Sequence, residues 1–539
     1  MSIHRSRVAL SASLIAGLVL ALAAASPVRA GTLETLLLPE PSPGQGLYYP
    51  DVQASFPGVD WQTLDRLYLP AGHWKFLRLG NLPQRTPGDE LVITNHGGQV
   101  RVGGLGHYYN FVVGGGSHWI LSGRSDPASG IGDAAFPGHA EGYAHSRDRY
   151  GILIDDAFES EGESGLAVGG GATAYTIEFL EVREVGFAGL LLKTDDDGDA
   201  HMDDVTLRDL YIHDVGSEGI YLGSTQSAPQ HKFRRLEIVN NRIVRTGTEA
   251  LQVGQLADGS TIHHNVIAFG AIDWKNPFQN FQDNNTQYAT RGGDTSVHHN
   301  LVVGGASHFL ILFGQDRAGD PHDPSHVAAF EDNYFSHVRN VGVYVHSSAD
   351  ATTTYRFARN AFRAIDFQYD ELDPGATNHQ RVFRIFNVDN PIELVDNRWQ
   401  GSQQLYAAAG SNVVATGNVN EAIPAVHFVD WGLPAGFDPL RLETWTDVTI
   451  HGDPVVYTEG DIVSHLGDLY LNVEPGTHTN KLPPDHPITW QPLPPPADDY
   501  RLAPTSPFQG LGLLDVVSGV VFADGFERGD LTAWSASTD

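Results

Sequence analysis

From Tyr175 onward one pattern recurs along the chain: a short strand of alternating apolar and polar residues, an Asn or Asp turn, a Gly or other small residue, and a second alternating strand. "VTLRDLYIHDVGSEGIYLGST", "LEIVNNRIVRTGTEALQVGQL" and "TSVHHNLVVGGASHFLILFGQD" are copies of it, and "VAAFEDNYFSHVRNVGVYVHSSAD" is a looser one. Turn asparagines fall at Asn241, Asn265, Asn300, Asn333, Asn360 and Asn397, with spacings of 24, 35, 33, 27 and 37 residues. A short minimum period with longer insertions is that of a solenoid coil with variable loops, whereas a propeller blade would keep a steadier, longer one. A unit this small cannot bury its own apolar face, so stacked neighbours must supply the core. Asn suits the turns because it tolerates left-handed backbone and its amide can stack on the next coil's. The triplets His263-His264-Asn265 and His298-His299-Asn300 could be read as metal ligands. They repeat with the coil, however, and are assigned to the turn.

Composition agrees with this reading. The chain has 59 Gly, 31 Pro and hardly any stretch of helical periodicity, so it is expected to be all-β with many tight turns. It has no Cys, which excludes disulfides, thiolate metal sites and a cysteine nucleophile. Residues 1–30 carry Arg5 and Arg7, an apolar run from Val8 to Ala25 and a small-residue exit, the features of a secretory signal with cleavage after Ala30. The remainder has no second apolar run near the ~18 residues that cross a bilayer, and a secreted, periplasmic or extracellular monomer without membrane contact is expected. With 33 basic against 65 acidic residues, the net charge of -32 disfavours nucleic acid and anionic lipid as partners. No Gly-x-Ser-x-Gly elbow, His-Glu-x-x-His or phosphate loop occurs, and no organic cofactor is expected.

Residues 90 to 425, on these repeats, resemble the pectate-lyase-like right-handed parallel β-helix proteins. The resemblance implies that fold and a carbohydrate substrate; the superfamily holds lyases, glycoside hydrolases, epimerases, esterases and non-catalytic adhesins. Residues 31–90 read as an N-terminal cap and residues 91–436 as the β-helix, continuous from Leu91 to Asn420. Within residues 437–495, the stretch Tyr457 to Leu493 resembles the small chitin-binding modules of secreted glycosidases: Tyr-x-x-Gly-Asp-x-Val, then Gly-x-x-Tyr, a Pro-rich loop and Trp. Tyr457, Tyr470 and Trp490 match the aromatic positions that stack on sugar in such modules. Residues 496–539 read as a closing strand of the β-helix, "YRLAPTSPFQGLGL", and a tail.

Chemistry is expected on an outward sheet face, where matching side chains of successive coils lie about 4.8 Å apart. Aligning the coils places Leu191, Tyr221 and Gln252 in one outward column and Lys193, Gly223 and Gly254 in the next, with the two glycines as an open floor for a flat ligand. The same alignment sets Glu218 against Glu249. Two carboxyls one strand spacing apart raise each other's pKa, so one can serve as acid while the other is ionised, and a separation near ~5 Å suits a retaining glycosidase. A second cluster, "KTDDDGDAHMDD", spaces Asp195, Asp197, Asp199 and Asp203 like a calcium loop beside Lys193. Calcium with a lysine base would fit a lyase that removes the proton next to a uronate carboxylate. Three readings follow: a glycoside hydrolase, slightly preferred; a calcium-dependent polysaccharide lyase with Lys193 as base; and a non-catalytic polysaccharide-binding adhesin. Tyr221 and Gln252 would bind substrate in either enzyme.

Overall fold

The computed structural model describes residues 33–514 apart from 43, 105–107, 126–130, 160–161, 194–201, 224–231, 278–281, 283, 307–309, 314–325, 340, 349–352, 366–380, 402 and 408–411. The fold is a right-handed parallel β-helix with a small β module attached near its C-terminal end. A coil of the middle part contributes a strand to each of three ribbons. In one coil these are Thr173–Glu178, Leu180–Arg183 and Leu190–Leu192, and in the next Thr206–Arg208, Tyr211–Val215 and Ile220–Leu222. Every coil-to-coil pairing is parallel, as in Leu190 to Ile220 to Leu251 on the third ribbon.

Alternation decides what is buried. Leu190, Leu192, Ile220, Leu222, Leu251 and Val253 point into the tube and join one continuous core that runs from Leu38 to Leu394. At the corner between the first and second ribbons, the residue before each ladder asparagine takes left-handed backbone: Asn240, His264, His299, Asp332, Arg359 and Asp396 all have φ between 52° and 56°. The following Asn then turns its amide inward. Asn265 donates to the Oδ1 of Asn300, Asn300 to that of Asn333, and Asn333 to that of Asn360, at 3.0, 3.0 and 3.1 Å. The second histidine of each His-His-Asn triplet is thus the corner residue itself. Burial holds His264 down at about 3 and His298 at about 4, so these rings are neutral.

Both ends depart from the sequence reading. The described part of residues 31–90, the span assigned above to a cap, forms coils: Thr35–Leu37 pairs parallel with Arg66–Trp74, and Leu47–Tyr49 with Leu77–Leu79. Three-residue strands are too short to show alternation in sequence. The last coil carries Val413–Thr416 and Val419–Asn420, after which the chain turns back along the outer face of the second ribbon. Asp499–Leu502, read as a closing strand of the solenoid, pairs antiparallel with Phe428–Asp430 of this returning segment. Between the two lies the module, a sheet of Leu442–Thr444, Ile462–His465, Asp468–Asn472 and Trp490–Pro492. One face of it, with Leu442, Ile462 and Leu469, packs in the same cluster as Val266, Ala268 and Ile272 of the solenoid side.

Candidate active site

The third ribbon places Glu218 and Glu249 as the sequence alignment places them. Because Ile220 pairs with Leu251, the residues two positions earlier stand one coil apart, and the Gly219 N–H donates to the Glu249 carbonyl at 3.0 Å. Both side chains are buried, at 1% and 0% exposure. Ser217 Oγ donates to Glu218 Oε2 at 2.7 Å and Gln282 Nε2 to Oε1 at 3.0 Å. Burial pushes the Glu218 carboxyl above its usual range, although the Ser217 hydroxyl, a backbone N–H, the Lys193 charge and Gln282 all favour its ionised form. Desolvation wins, which leaves a carboxyl able to hold its proton where an exposed one would have lost it.

Beside this pair runs the outward column. Leu191, Tyr221 and Gln252 are in register, as expected, and the column continues to Gln287. All four point away from the core yet are at most 8% exposed, so this part of the ribbon is covered. The Lys193 ammonium lies 5.4 Å from the centre of the Tyr221 ring, a cation–π distance. Lys193, Tyr221 and Glu218 therefore form one neighbourhood.

The open floor does not form. A Cβ on Gly223 would stand 2.7 Å from the Cγ of Gln255, so the space beside the glycine is filled by that buried side chain, and Gly223 is there for its φ of +65°. At Gly254 the strand register shifts, between Val253 and Leu256, which removes it from the column.

Sequence reasoning missed Ser217, Gln282 and Gln287. Gln287 has a signal, since "TQYAT" repeats the x-Gln-x alternation of "LQVGQ". Gln282 lies in an irregular connection where no repeat indicates register. A second carboxyl pair was also missed. Glu163, in an earlier coil, is pushed up to about 8 by burial and by its hydrogen-bonded neighbour Asp156.

For the calcium loop, Asp195, Asp197 and Asp199 lie outside the described residues. Asp203 is inside them, and its carboxylate pairs with Arg235 at 3.2 Å and with Arg234 at 3.8 Å. No group of three or more His, Asp or Glu side chains that could hold a metal converges among the described residues. In the module, Tyr457 and Trp490 are 1% exposed. They meet edge to face at 5.4 Å, the Tyr457 hydroxyl donates to the Thr446 carbonyl, and Trp490 Nε1 donates to the Lys481 carbonyl. These two rings form the module's core with Val455 and Val463 and present no face to a sugar, contrary to the stacking role assigned from sequence. Tyr470 is partly buried against them. Among the described residues no helix is long and apolar enough to cross a membrane.

No protein-family model matches the chain, and no curated protein matches it by sequence. Among solved structures it is similar to an alginate lyase from a Paenibacillus strain, at 15% identity and a TM-score of 0.40 over 70% of this chain and 99% of that one. It is also similar to the pectate lyase Pel9A, at 9% identity and a TM-score of 0.36 over 78% and 92% of the two chains. A third similar structure is the lacto-N-biosidase of family GH136 from Eubacterium ramulus, at 10% identity and a TM-score of 0.34 over 72% and 68%. Likeness at this level says nothing about chemistry.

Proposed function

We propose that this chain is a secreted enzyme acting on an extracellular polysaccharide, with its active centre on the third ribbon around Glu218, Glu249 and Lys193. The observation that carries the proposal is the pair of buried glutamates in register one coil apart, one of which burial pushes above the usual carboxylate range. A glycoside hydrolase needs such a pair: an acid to protonate the departing oxygen, and a carboxylate to attack or to activate water. The spacing of ~4.8 Å between adjacent strands suits the retaining course. Glu218, with its raised pKa, takes the acid role and Glu249 the other.

The second reading, a polysaccharide lyase, is supported by Lys193, whose charge acts on Glu218 and whose ammonium lies over Tyr221. There the lysine removes a proton next to a uronate carboxylate; calcium at the aspartate loop would accompany it.

Incubating the purified chain with a panel of neutral and uronic polysaccharides separates the readings. New reducing ends without ultraviolet absorbance support the hydrolase, and an absorbing unsaturated product supports the lyase. Retention of a polymer with no product from any of them would leave the adhesin. The hydrolase reading requires Glu218→Gln and Glu249→Gln each to remove at least ~100-fold of the rate, since an amide keeps the shape but neither donates the proton nor carries the charge. The lyase reading requires that loss from Lys193→Ala instead.

A further inference from the structure

A cavity of about 230 Å³ lies on the second ribbon, on another face of the solenoid from Glu218 and Glu249. Its floor is solenoid: Val303, Ser336 and Arg363 follow one another along an outward column, with Tyr334 and His337 beside them. Its roof is the returning C-terminal segment, with His427, Phe428 and Trp431. The Tyr334 hydroxyl ties the two at 3.3 Å from the Pro424 carbonyl.

The charge in this cavity is unusual for the molecule. The chain carries almost twice as many acidic as basic residues, yet among the described residues no acidic one lines the cavity and Arg363 does. Arg339 nearby is committed to the Leu440 carbonyl and Glu443. Arg363 has no carboxylate partner among the described residues; its Nη1 donates to His337 Nε2 at 3.4 Å and its buried Nε has no acceptor. Asp438, next to the lining residue Pro439 and near enough for its charge to act on His337, accepts from the Leu440 N–H at 3.0 Å and caps that turn.

The hydrogen bonds also fix which groups donate inward. Burial and the Arg363 charge push His337 down to about 4, so the ring is neutral. With Nε2 accepting from Arg363, the ring's proton sits on Nδ1 and donates to Ser336 Oγ at 2.5 Å. The Ser336 hydroxyl is then a donor, with the Tyr334 phenol oxygen already within its reach and shared with Arg363. A guanidinium and a hydroxyl on the floor, with an indole in the roof, is an arrangement for an anion carried on a compact ring: a charge-assisted bond to the carboxylate and an apolar surface for the ring face.

We infer that this cavity is a binding site for a single carboxylated sugar, a uronate, with the carboxylate at Arg363 and Ser336 and the ring against Trp431. The volume admits one ring with its substituents and no oligosaccharide. The site is separate from the third-ribbon centre, and the inference does not depend on the reading of that centre.

Binding is measured on the purified chain by calorimetry, and by quenching of Trp fluorescence with a Trp431→Phe variant to assign the signal. The ligands are galacturonate, glucuronate, galactose and acetate. Uronates should saturate with a Kd on the order of 1 mM, as expected for so small a ligand. Galactose and acetate should bind at least ~10-fold more weakly, because each supplies only half of the recognition. Arg363→Gln should abolish uronate binding, Ser336→Ala should weaken it several-fold, and Arg384→Gln, which makes the same charge change on the third ribbon, should leave it intact. Circular dichroism and the melting temperature show whether Arg363→Gln is folded; should it not be, Ser336→Ala and Trp431→Phe carry the test. Absence of saturation by uronates in the millimolar range would overturn the inference. So would acetate or galactose binding as well as uronate, or full binding retained in folded Arg363→Gln.

Discussion

Asp498 of the returning C-terminal segment grips Arg245 of the solenoid with two hydrogen bonds, Nη1 to Oδ1 and Nη2 to Oδ2, both 2.8 Å and both fully buried. Arg245 also bonds Asp214 of the preceding coil at 2.6 and 3.0 Å, and Arg242 bonds the Asp498 carbonyl at 2.8 Å. Burial works against the Asp498 charge, but the Arg245 guanidinium outweighs it and holds the carboxyl below its ordinary value. A carboxyl with a depressed native pKa stabilises fully above its unfolded value of ~3.9 and loses that contribution as the pH falls through the native value. The melting temperature of the wild type should therefore be flat from neutral pH to about 5 in respect of this pair and fall below ~4. Asp498→Asn should lower stability at neutral pH by about 3 kcal/mol and flatten the acid limb, both measurable by calorimetry across pH. An unchanged acid limb in the variant would show that the pair does not control it.

The asparagine ladder makes a graded prediction. Asn300 accepts from the Asn265 N–H and Nδ2 and donates to the Ile262 and His298 carbonyls and to Asn333, all at 3.0 Å. Alanine there strands several buried groups and should cost about 3 kcal/mol, while Asn418→Ala, at the half-buried last rung, should cost about 1 kcal/mol. Equal losses in denaturant titrations would contradict this account of the ladder.

If Glu218 is the acid, its neighbours set the basic limb of the rate profile. The Ser217 hydroxyl favours the carboxylate, so Ser217→Ala removes that stabilisation and raises the carboxyl's pKa further. The basic limb of kcat/KM should then move to higher pH by on the order of one unit. A limb that stays put while the rate falls would assign Ser217 a structural part only.

Two aromatic residues of the module should behave oppositely. Trp490 is enclosed, so Trp490→Ala should unfold the module at a cost of about 3–5 kcal/mol. Tyr470 is only partly buried, and Tyr470→Ala should leave the melting temperature within a few degrees. Pull-down on insoluble chitin or glucan with the Tyr470 variant then tests whether the module's sheet face holds sugar, free of any folding defect.

What the sequence disclosed and what it hid have physical causes. The coil register was legible because burial on one face forces alternation, and so the Leu191, Tyr221, Gln252 column and the opposition of Glu218 to Glu249 followed from aligned strands. The opening coils were not legible, since three residues such as Thr35–Leu37 carry no period. Nor was the burial of Tyr457 and Trp490, because a motif marks where aromatic residues stand and not which side of a sheet is covered. Gly223 misled for a related reason: sequence shows a missing side chain but not that Gln255 fills its space.

The returning C-terminal segment changes how such a tube comes apart. A stack in which each coil touches only its neighbours can fray from either end, one layer at a time. Here Leu514 bonds Asn240 and Tyr143, Gly512 bonds His299, Phe508 packs on Tyr334, and Asp498 holds Arg245, so one segment is fastened to layers several coils apart. Like a splint across a stack of rings, it makes the middle layers share their load. Loss of any one of them strains the same backbone, and these coils should melt as one cooperative block while the first coils, from Thr35 to Leu79, are left to fray alone.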